Sequence, residues 1–370
     1  MTAVQSAVRE LKKSFSDPRR AAAAAGLRYA SDAGPGIRRV RKGKAFAYVT
    51  TGRGPRRPVR DWATLRRIKS LVIPPAWEDV WISPSPTGHI QAVGYDARGR
   101  KQYRYHPQWR AHRDLAKYTH VIGFAEALPT IRAAVRHHLR KPGLPREKVL
   151  AATVRVLEKT LIRNGNEQYT KQNKTYGLST LQDRHATITG DKVTFDFRGK
   201  HGVHRHVSFR DPNLAKIVRA CRDLPGSELF QYLDDDGRVV DLKCDDVNDY
   251  LKRITGQPFT AKDFRTWAGT LLAARALQAM EATDAQRQIK KNIVAAIEST
   301  AARLGNTTAV CRKCYVHPAV LSSYMDGSLV KTLRRKVSAK LSRDGLTLEE
   351  QAVLRLLRST LTTMAHKKAA

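Results

Sequence analysis

Cysteine is scarce in this chain of 370 residues, and acidic residues are far outnumbered by basic ones. Four cysteines are too few for a disulfide scaffold and indicate a reducing compartment. No apolar run approaches the ~18–20 residues of a membrane span. Near the amino end, Arg19 and Arg20 precede only five alanines and a glycine, too short and weakly apolar for a secretion signal. We therefore expect a cytoplasmic protein without a membrane partner.

The few cysteines also argue against a metal centre. Cys311 and Cys314 form a CxxC pair, and His317 follows three residues later. A zinc ribbon needs a second ligand pair, and Cys221 and Cys244 are not spaced as one. The sequence therefore predicts neither a metal nor an organic cofactor, with zinc binding or a redox role for the CxxC pair as minor alternatives.

Basic residues are what the chain has in excess, with 68 Lys and Arg against 33 Asp and Glu and a formal net charge of +35. Such a chain repels itself and attracts polyanions, of which nucleic acid is the commonest in the cytoplasm. A ribosome-associated protein or a membrane-surface binder would show a similar excess. We expect association with the nucleoid in a bacterium. Binding should weaken steeply with salt, because each neutralised phosphate of duplex DNA releases about 0.9 counterion.

The apolar pattern predicts an α+β fold, with a small β-rich N-terminal domain and a larger, mainly helical domain. Apolar residues make up 41% of the chain, enough for two ordinary cores. Strands are predicted at 45–50, 80–82, 90–95, 101–105, 186–189, 192–198 and 203–209. Helices are predicted at 61–71, 109–139, 147–162, 211–223, 245–255, 260–281, 284–303, 307–315 and 346–365.

Five segments follow from this pattern and from the proline and glycine punctuation at 142–145. They are an N-terminal extension (1–26), a β-rich domain (27–108), a helical linker region (109–144), a mainly helical domain (145–325) and a basic helical tail (326–370). The extension is either a helix or a loose tail. The basic residues of the tail form either a solvated helix face or a further DNA contact.

Five side chains from separate segments can together move a phosphodiester onto a tyrosine: Arg163, Lys200, Arg265, Asn306 and Tyr315. An arginine donates two parallel hydrogen bonds to phosphate oxygens and keeps its charge, and an asparagine amide can donate another. A lysine can protonate the leaving 5′ oxygen. A tyrosine can attack the phosphorus and keep the bond energy as a phosphotyrosine, so that neither ATP nor a metal is needed.

Taken singly, each of these residues has an ordinary structural interpretation. Asn164 and Gly165 predict a left-handed cap that leaves Arg163 in the last turn of the helix at 147–162. A lysine in the polar hairpin 199–202 adds solubility, and a helical tyrosine usually belongs to a core. Asn306 after Gly305 can cap a helix. Only the combination argues for chemistry, and spacing alone does not fix its spatial arrangement.

From about residue 27 to 325 the chain resembles the type IB DNA topoisomerases, especially the compact poxvirus and bacterial branch. Arg163 matches the first catalytic arginine of an Arg-x-Gly-x-x-x-Tyr motif that Gly165 and Tyr169 complete. Lys200 is similar to the family's hairpin lysine in a Gly-Lys signature. Through this resemblance Tyr169 is also expected to contact DNA.

The second half of the resemblance lies in the carboxyl-terminal helices. Arg265 falls in a Lys-x-x-Arg-Thr motif, in which Lys262 is expected to add a phosphate or base contact. Tyr315 resembles the nucleophile. The family usually has histidine where this chain has Asn306, which leaves a hydrogen bond to a phosphate oxygen but not a cationic contribution.

In the amino-terminal module, the segment from 101 to 105 is similar to the strand with which the viral enzymes read the major groove. Lys101, Gln102, Tyr103 and Tyr105 are therefore expected to contact DNA.

The resemblance implies a monomeric enzyme that closes around double-stranded DNA as a C-shaped clamp. It would relax supercoils of either sign through a 3′-phosphotyrosyl intermediate. Tyrosine recombinases share the catalytic fold, but they typically carry His-x-x-Arg where this chain has Lys262 and Arg265, and their amino-terminal halves are usually helical. A non-catalytic architectural DNA binder is a further alternative, although it would not need a placed tyrosine.

Overall fold

The structure, a computed structural model, describes residues 17–43, 45–52, 54–280, 285–334 and 345–369, without the side chains of residues 115, 116, 118, 169 and 363–369. The chain divides into two compact units, Met1–His120 and Val121–Ala370. Both contain helices and strands, so the mixed helix-and-sheet prediction is confirmed. The finer division into five segments stays a prediction. Most of its N-terminal extension and part of its basic tail lie outside the described residues.

The first unit is built on an antiparallel sheet of five strands in the order β2-β1-β3-β4-β5. The strands are β1 (Gly36–Lys42), β2 (Ala45–Thr51), β3 (Glu78–Ile82), β4 (Ile90–Tyr95) and β5 (Lys101–Tyr105). Two helices accompany the sheet, α1 (Pro18–Ala24) and α2 (Trp62–Ser70). A third, α3 (Pro107–Leu139), begins here and continues into the second unit.

Strand β1 is the element of this sheet that the sequence pattern did not predict, since three of its seven residues are arginines. It is nevertheless a central strand, paired with β2 on one side and β3 on the other. Its Ile37 joins the core with Ile68 of α2. Arg39 lies over the Phe46 ring at 4.2 Å and donates to the Pro74 carbonyl. Long arginine stems can cover apolar surface while their charged ends reach polar partners.

The second unit is mainly helical. Its helices are α4 (Arg146–Thr160), α5 (Glu167–Asn173), α6 (Pro212–Arg222), α7 (Cys244–Thr255), α8 (Ala261–Gln278), α9 (Gln286–Leu304), α10 (Thr308–Cys314), α11 (Pro318–Met325), α12 (Ser328–Arg334) and α13 (Leu348–Ala369). A three-stranded antiparallel sheet contains β6 (Ala186–Thr189), β7 (Lys192–Arg198) and β8 (His204–Arg210), and β9 (Gln231–Leu233) pairs with β10 (Val239–Asp241).

Helices α4 and α8 form the centre of this unit, and each is buried on most of its sides. Phe264 of α8 packs edge-on against Phe124 of α3, with ring centroids 4.9 Å apart. The long predicted helices and the three strands of the β6–β8 sheet are confirmed, with ends that differ by a few residues. Short elements such as α5, α11 and α12 were missed, because seven or eight residues carry too little periodicity. Among the described residues, no helix is long and apolar enough to cross a membrane.

A buried ion-pair network ties α3 to α13. The Arg132 guanidinium contacts Glu158 of α4 and both carboxylate oxygens of Glu350, at distances of 2.7–2.9 Å. The Trp267 indole also donates to Glu350, whose side chain is only 5% exposed. Burial alone would raise the pKa of Glu350, but the hydrogen bonds and charge of Arg132, together with hydrogen bonds from the Thr347 backbone and Trp267, outweigh it and hold the pKa below its ordinary value. The carboxylate therefore stays charged where a neutral residue would otherwise be expected.

We expect Glu350→Ala to lower the free energy of unfolding by about 3–5 kcal/mol, because it leaves Arg132 buried with one carboxylate fewer. Urea denaturation at neutral pH measures this change. In the wild type, the contribution of Glu350 is complete above its unfolded-state pKa of ~4.3. It is lost as pH falls through the lower folded-state pKa.

The matched control is Glu126→Ala, which removes the exposed Glu126–Arg358 ion pair between the same two helices. That substitution should cost about 0–1 kcal/mol. Equal losses for the two variants would show that the buried network does not stabilise the contact between α3 and α13.

Candidate active site

The end of helix α9 is the point at which the candidate residues meet. Gly305 adopts the left-handed conformation, with φ of 62°. Its N–H donates to the Ala302 carbonyl, and the N–H of Asn306 donates to the Ala301 carbonyl. This pair of bonds is a Schellman motif, which satisfies two of the four terminal carbonyls of the helix. The carbonyls of Arg303 and Leu304 remain, together with that of Gly305 just beyond.

Three arginines from three different elements donate to these three consecutive carbonyls. Arg205 of β8 donates to Arg303 O at 3.4 Å, and Arg265 of α8 donates to Leu304 O at 2.9 Å. Arg163, from the loop after α4, donates to Gly305 O at 3.2 Å. A helix C-terminus carries a partial negative charge of about −0.5, so it attracts the three cations.

Arg163 reaches this point from a loop and not from a helix, which corrects the sequence-based expectation. Helix α4 ends at Thr160, and the left-handed cap is Leu161 (φ 57°), three residues earlier than Asn164. The burial of Leu161, which is 7% exposed, compensates the cost of this conformation in a residue with a Cβ. The cap turns the chain so that Arg163 lies beyond the helix. There its guanidinium also donates to Oδ1 of Asn306.

Arg265 is the most deeply buried of the three, with only 3% of its surface exposed. Besides Leu304 O, it donates to Leu161 O at the end of α4, so it joins the C-termini of two helices. Burial lowers the pKa of its guanidinium to about 10, which leaves it protonated at neutral pH. The residue is therefore a permanent positive charge inside the protein.

Tyr315 lies directly beneath this charge. It follows the last residue of α10, is 8% exposed, and has the Arg265 guanidinium carbon 5.1 Å above its ring centroid. Burial raises the pKa of Tyr315 and is the largest single effect, but the charge and hydrogen bonding of Arg265 lower it, and the net pKa lies below its ordinary value. The charges of Arg163 and Lys262 act in the same direction.

Gly269 of α8 makes this placement of Tyr315 possible. A Cβ at Gly269 would lie 2.6 Å from the Tyr315 carbonyl oxygen and 3.1 Å from its Cβ. The Thr270 hydroxyl, one residue further along, donates to the same carbonyl at 3.4 Å. The backbone of Tyr315 thus packs directly against α8, at a distance that any side chain at position 269 would prevent.

Lys200 lies at the tip of the hairpin between β7 and β8, as the sequence predicts. The turn is closed by hydrogen bonds from Gly199 N to Val203 O (2.8 Å) and from Gly202 N to Gly199 O (3.0 Å). Lys200 is exposed and lines one cleft together with Arg163 and Arg265. The structure therefore brings these three predicted residues together.

Arg205 lines the same cleft and was missed by sequence reasoning. A signal was present, since Val207 and Phe209 alternate along β8 and Arg205 is the next residue of the same apolar row. The cross-strand partner of Arg205 is the buried Phe197. An arginine at a core-facing position of a strand needs a polar environment for its charge. Here the cleft of the candidate site provides that environment.

Asn306 completes the cluster from its edge. Its Oδ1 accepts from Arg163, and its buried Nδ2 has no hydrogen-bond partner among the described residues. The helix-capping alternative for Asn306 is wrong, because the N-cap of α10 is Thr307, whose hydroxyl accepts from Val310 N.

The site carries uncompensated positive charge. Within the part of the chain that the structure describes, Arg163, Arg205 and Arg265 form no ion pair with a carboxylate, although many other lysines and arginines, such as Arg132 and Arg210, do. Burial lowers the pKa of Arg205, and the neighbouring charges of Arg163 and Arg303 lower it further. Clustered cations without carboxylates favour an anionic ligand.

Lys262 and Tyr169 were also predicted to contact DNA, and the structure describes only the first of these side chains. Lys262 is exposed in the first turn of α8, one turn before Arg265 and on the same helix face. The side chain of Tyr169 lies outside the described residues.

The remaining predicted DNA contacts lie in the first unit, on the edge strand β5. Lys101, Tyr103 and Tyr105 share one face, because they are two residues apart, and the two tyrosine rings stack at 5.6 Å. Gln102 belongs to the opposite face and donates to Asp96 at 2.9 Å. The four residues therefore do not form one contact surface, as their spacing in a strand already required.

The CxxC pair lies in α10, and both thiols are free. Cys311 is buried, which raises the pKa of its thiol to about 11. The nearby His317 caps α11, where its Nδ1 accepts from Ala319 N. Among the described residues, no group of three or more His, Cys, Asp or Glu could hold a metal ion.

Comparison with known families and proteins shows what the chain as a whole is similar to. Residues 106–341 match the model of the eukaryotic DNA topoisomerase I catalytic core, and residues 45–96 match that of the bacterial DNA topoisomerase IB N-terminal domain. The chain is 33% identical over 298 residues to DNA topoisomerase 1B of Acanthamoeba polyphaga mimivirus, covering 79% of this chain and 88% of the relative.

Poxvirus proteins are more distant relatives. DNA topoisomerase 1B of vaccinia virus (strain Copenhagen) is 24% identical over 245 residues, which cover 66% of this chain and 75% of the viral protein. DNA topoisomerase 1 of rabbit fibroma virus is 24% identical over 251 residues, or 65% and 74% of the two chains. The catalytic-core match alone spans more than half of this chain, which therefore belongs to the type IB DNA topoisomerase family.

Proposed function

We propose that this topoisomerase cleaves one strand of duplex DNA with Tyr315 and that Arg163, Lys200, Arg265 and Asn306 assist the reaction. The observation that carries the assignment is a buried tyrosine of lowered pKa beneath the buried guanidinium of Arg265, which lines a cleft together with Arg163 and Arg205, and none of these three arginines pairs with a carboxylate among the described residues. A phosphodiester supplies the negative charge that this cleft lacks.

In the first step, the phenolate oxygen of Tyr315 attacks the scissile phosphorus. The bond to the 5′ oxygen of the next nucleotide breaks, and a phosphotyrosine at the 3′ end of the cleaved strand forms. The phenol proton is lost to solvent, which the lowered pKa makes easier. Arg163 and Arg265 stabilise the charge that develops on the two non-bridging oxygens, and the Nδ2 of Asn306 is a further donor.

Lys200 acts as the general acid in this scheme. Its ammonium donates a proton to the departing 5′ oxygen, because an alkoxide is a poor leaving group. Its place at the tip of the β7–β8 hairpin suits a residue that reaches into the DNA beside the scissile phosphate. Religation is the reverse reaction, in which the 5′ hydroxyl attacks the phosphotyrosine and returns the proton to Lys200. Neither ATP nor a metal enters the scheme.

For the whole protein, we propose a monomer that encloses double-stranded DNA as a C-shaped clamp and acts on the nucleoid in the cytoplasm. The catalytic domain (145–325) would be of the kind shared with tyrosine recombinases. Lys101, Tyr103 and Tyr105 would contact base edges from the amino-terminal module, with Gln102, Tyr169 and Lys262 as further DNA contacts. The free strand would swivel between cleavage and religation, which relaxes supercoils of either sign.

We expect Tyr315→Phe to abolish relaxation of positively and negatively supercoiled plasmid in EDTA without ATP, because the nucleophile is absent. The control is Tyr324→Phe, which removes a hydroxyl that accepts from Asn292 on a neighbouring helix. This control should relax both plasmids. If wild type binds DNA but relaxes neither plasmid, the recombinase or architectural alternative gains support. Trapping a covalent adduct on a suicide substrate then separates those two.

Arg265→Ala should slow single-turnover cleavage by about 10³–10⁵-fold, as for other arginines of phosphoryl transfer. DNA binding should change far less, since most affinity comes from backbone contacts elsewhere. Arg163→Ala should behave similarly. Arg275→Ala, an exposed arginine on the same helix as Arg265, is the control and should cleave at the wild-type rate. Near-normal cleavage by a folded Arg265→Ala protein would remove that residue from the mechanism.

Asn306→His should keep cleavage activity, because an imidazole N–H can also donate to a phosphate oxygen. Asn306→Ala should cleave more slowly, since it removes that donor and the acceptor of Arg163. Single-turnover cleavage of one suicide substrate by the two variants makes the comparison. A folded but inactive Asn306→His protein would count against this role.

The cleavage rate should rise with pH and level off below ~10, the ordinary pKa of tyrosine. The cause is the charge and hydrogen bonding of Arg265, which together with the charges of Arg163 and Lys262 overcome the effect of burial and lower the pKa of Tyr315. In Arg265→Gln the break in the pH–rate profile should move to higher pH, because burial then dominates. An unchanged break in this variant would show that the profile reports another group.

A further inference from the structure

Most hydrogen-bond donors of the positively charged Arg205 side chain have no partner among the described residues of the protein. Its guanidinium carries five N–H donors. Within the described residues it makes one hydrogen bond, a long one of 3.4 Å to Arg303 O. No carboxylate pairs with it there. A half-buried guanidinium that served only to support the helix end would not be expected to make a single, long hydrogen bond.

The surroundings of Arg205 also repel it. Arg163 and Arg303 are close enough for their charges to lower its pKa further, after the larger effect of burial. Its stem packs at 3.3 Å from the position that a Cβ would occupy on Gly199. Its Nη1 lies only 2.3 Å from the corresponding position on Gly305. Glycines therefore line the path of the side chain on both sides, so the chain keeps room for this arginine in spite of the repulsion.

The direction of Arg205 is set by its strand. It shares the row of Val207 and Phe209, which faces the core, and it lies opposite the buried Phe197. Arg205 lies where this row reaches the cleft that Arg163, Lys200 and Arg265 also line. The remaining N–H donors of the Arg205 guanidinium are thus directed toward the place where the proposed reaction needs a phosphate.

We propose that Arg205 is a third phosphate-binding arginine of the active site and donates to a non-bridging oxygen of the scissile phosphodiester. This inference rests on the function proposed above, because it takes the cleft as the place of cleavage. An arginine suits the role better than a lysine, since its planar fork can hold one oxygen while another N–H keeps the bond to Arg303 O.

The test uses the full-length protein and a DNA duplex whose cleavage position has first been mapped with wild type. We expect Arg205→Ala to slow single-turnover formation of the covalent adduct by about 10²–10³-fold, as for the loss of one donor to an oxyanion. Arg205→Lys should retain an intermediate rate. The matched control is Arg210→Ala, at the other end of the same strand and paired with Asp191. It should cleave at the wild-type rate.

A modified substrate separates phosphate binding from a merely structural role. In a methylphosphonate, a methyl group replaces one non-bridging oxygen and removes its charge. On the scissile-position isomer that lacks the oxygen bound by Arg205, wild type and Arg205→Ala should react at nearly equal rates. If the ratio of their rates is the same on both isomers and on the natural phosphate, Arg205 only supports the helix end, and the proposal is wrong.

The remaining outcomes are also decisive. Equal rates only with a methylphosphonate at a neighbouring position would place the contact on a flanking phosphate and overturn the assignment to the scissile one. If thermal melting shows that Arg205→Ala does not fold, Arg205→Lys is compared with wild type on the same substrates. Failure of the proposed function itself is seen separately, because Tyr315→Phe would then form the adduct as fast as wild type.

Discussion

The end of helix α9 is the structural feature on which the active site depends. Its Schellman motif satisfies the carbonyls of Ala301 and Ala302, and the next three carbonyls accept hydrogen bonds from three arginines. These arginines come from a loop, a strand and a helix that are far apart in sequence. Because each is fixed to the same short stretch of backbone, their guanidiniums are held near one another in spite of their mutual repulsion.

The choice of backbone carbonyls as partners has an electrostatic consequence. A carboxylate would neutralise each arginine and compete with a phosphate for it, whereas a helix C-terminus offers only a partial negative charge. The arginines are therefore positioned without losing their net charge. The same field reaches Tyr315, where the charges of Arg265, Arg163 and Lys262 and the hydrogen bonding of Arg265 together outweigh burial and lower the pKa of the phenol. One set of contacts thus suits both the anion binding and the nucleophile activation that we propose.

Much of this could be predicted from the sequence, and the failures have physical causes. Long periodic helices and alternating strands were predicted correctly, and motif resemblance indicated the four charged or nucleophilic side chains that the structure brings to one place. Spacing did not show the left-handed Leu161, because burial and not its own preference supports that conformation. It also did not show Arg205, whose role depends on the packing of β8 against the end of α9. Strand β1 was missed because its three arginines obscure the apolar pattern by which a central strand is usually recognised.

The most direct test of this account is the covalent cleavage rate of Gly305→Ala compared with Gly256→Ala. Both glycines are left-handed helix caps with φ of 62°, so both substitutions carry a similar cost of about 1 kcal/mol. A Cβ at Gly256 meets nothing within 4 Å, whereas one at Gly305 lies 2.3 Å from Arg205 Nη1. We predict that Gly256→Ala cleaves normally and that Gly305→Ala, although folded, cleaves far more slowly. Equal rates for the two variants would contradict the central role of the α9 end.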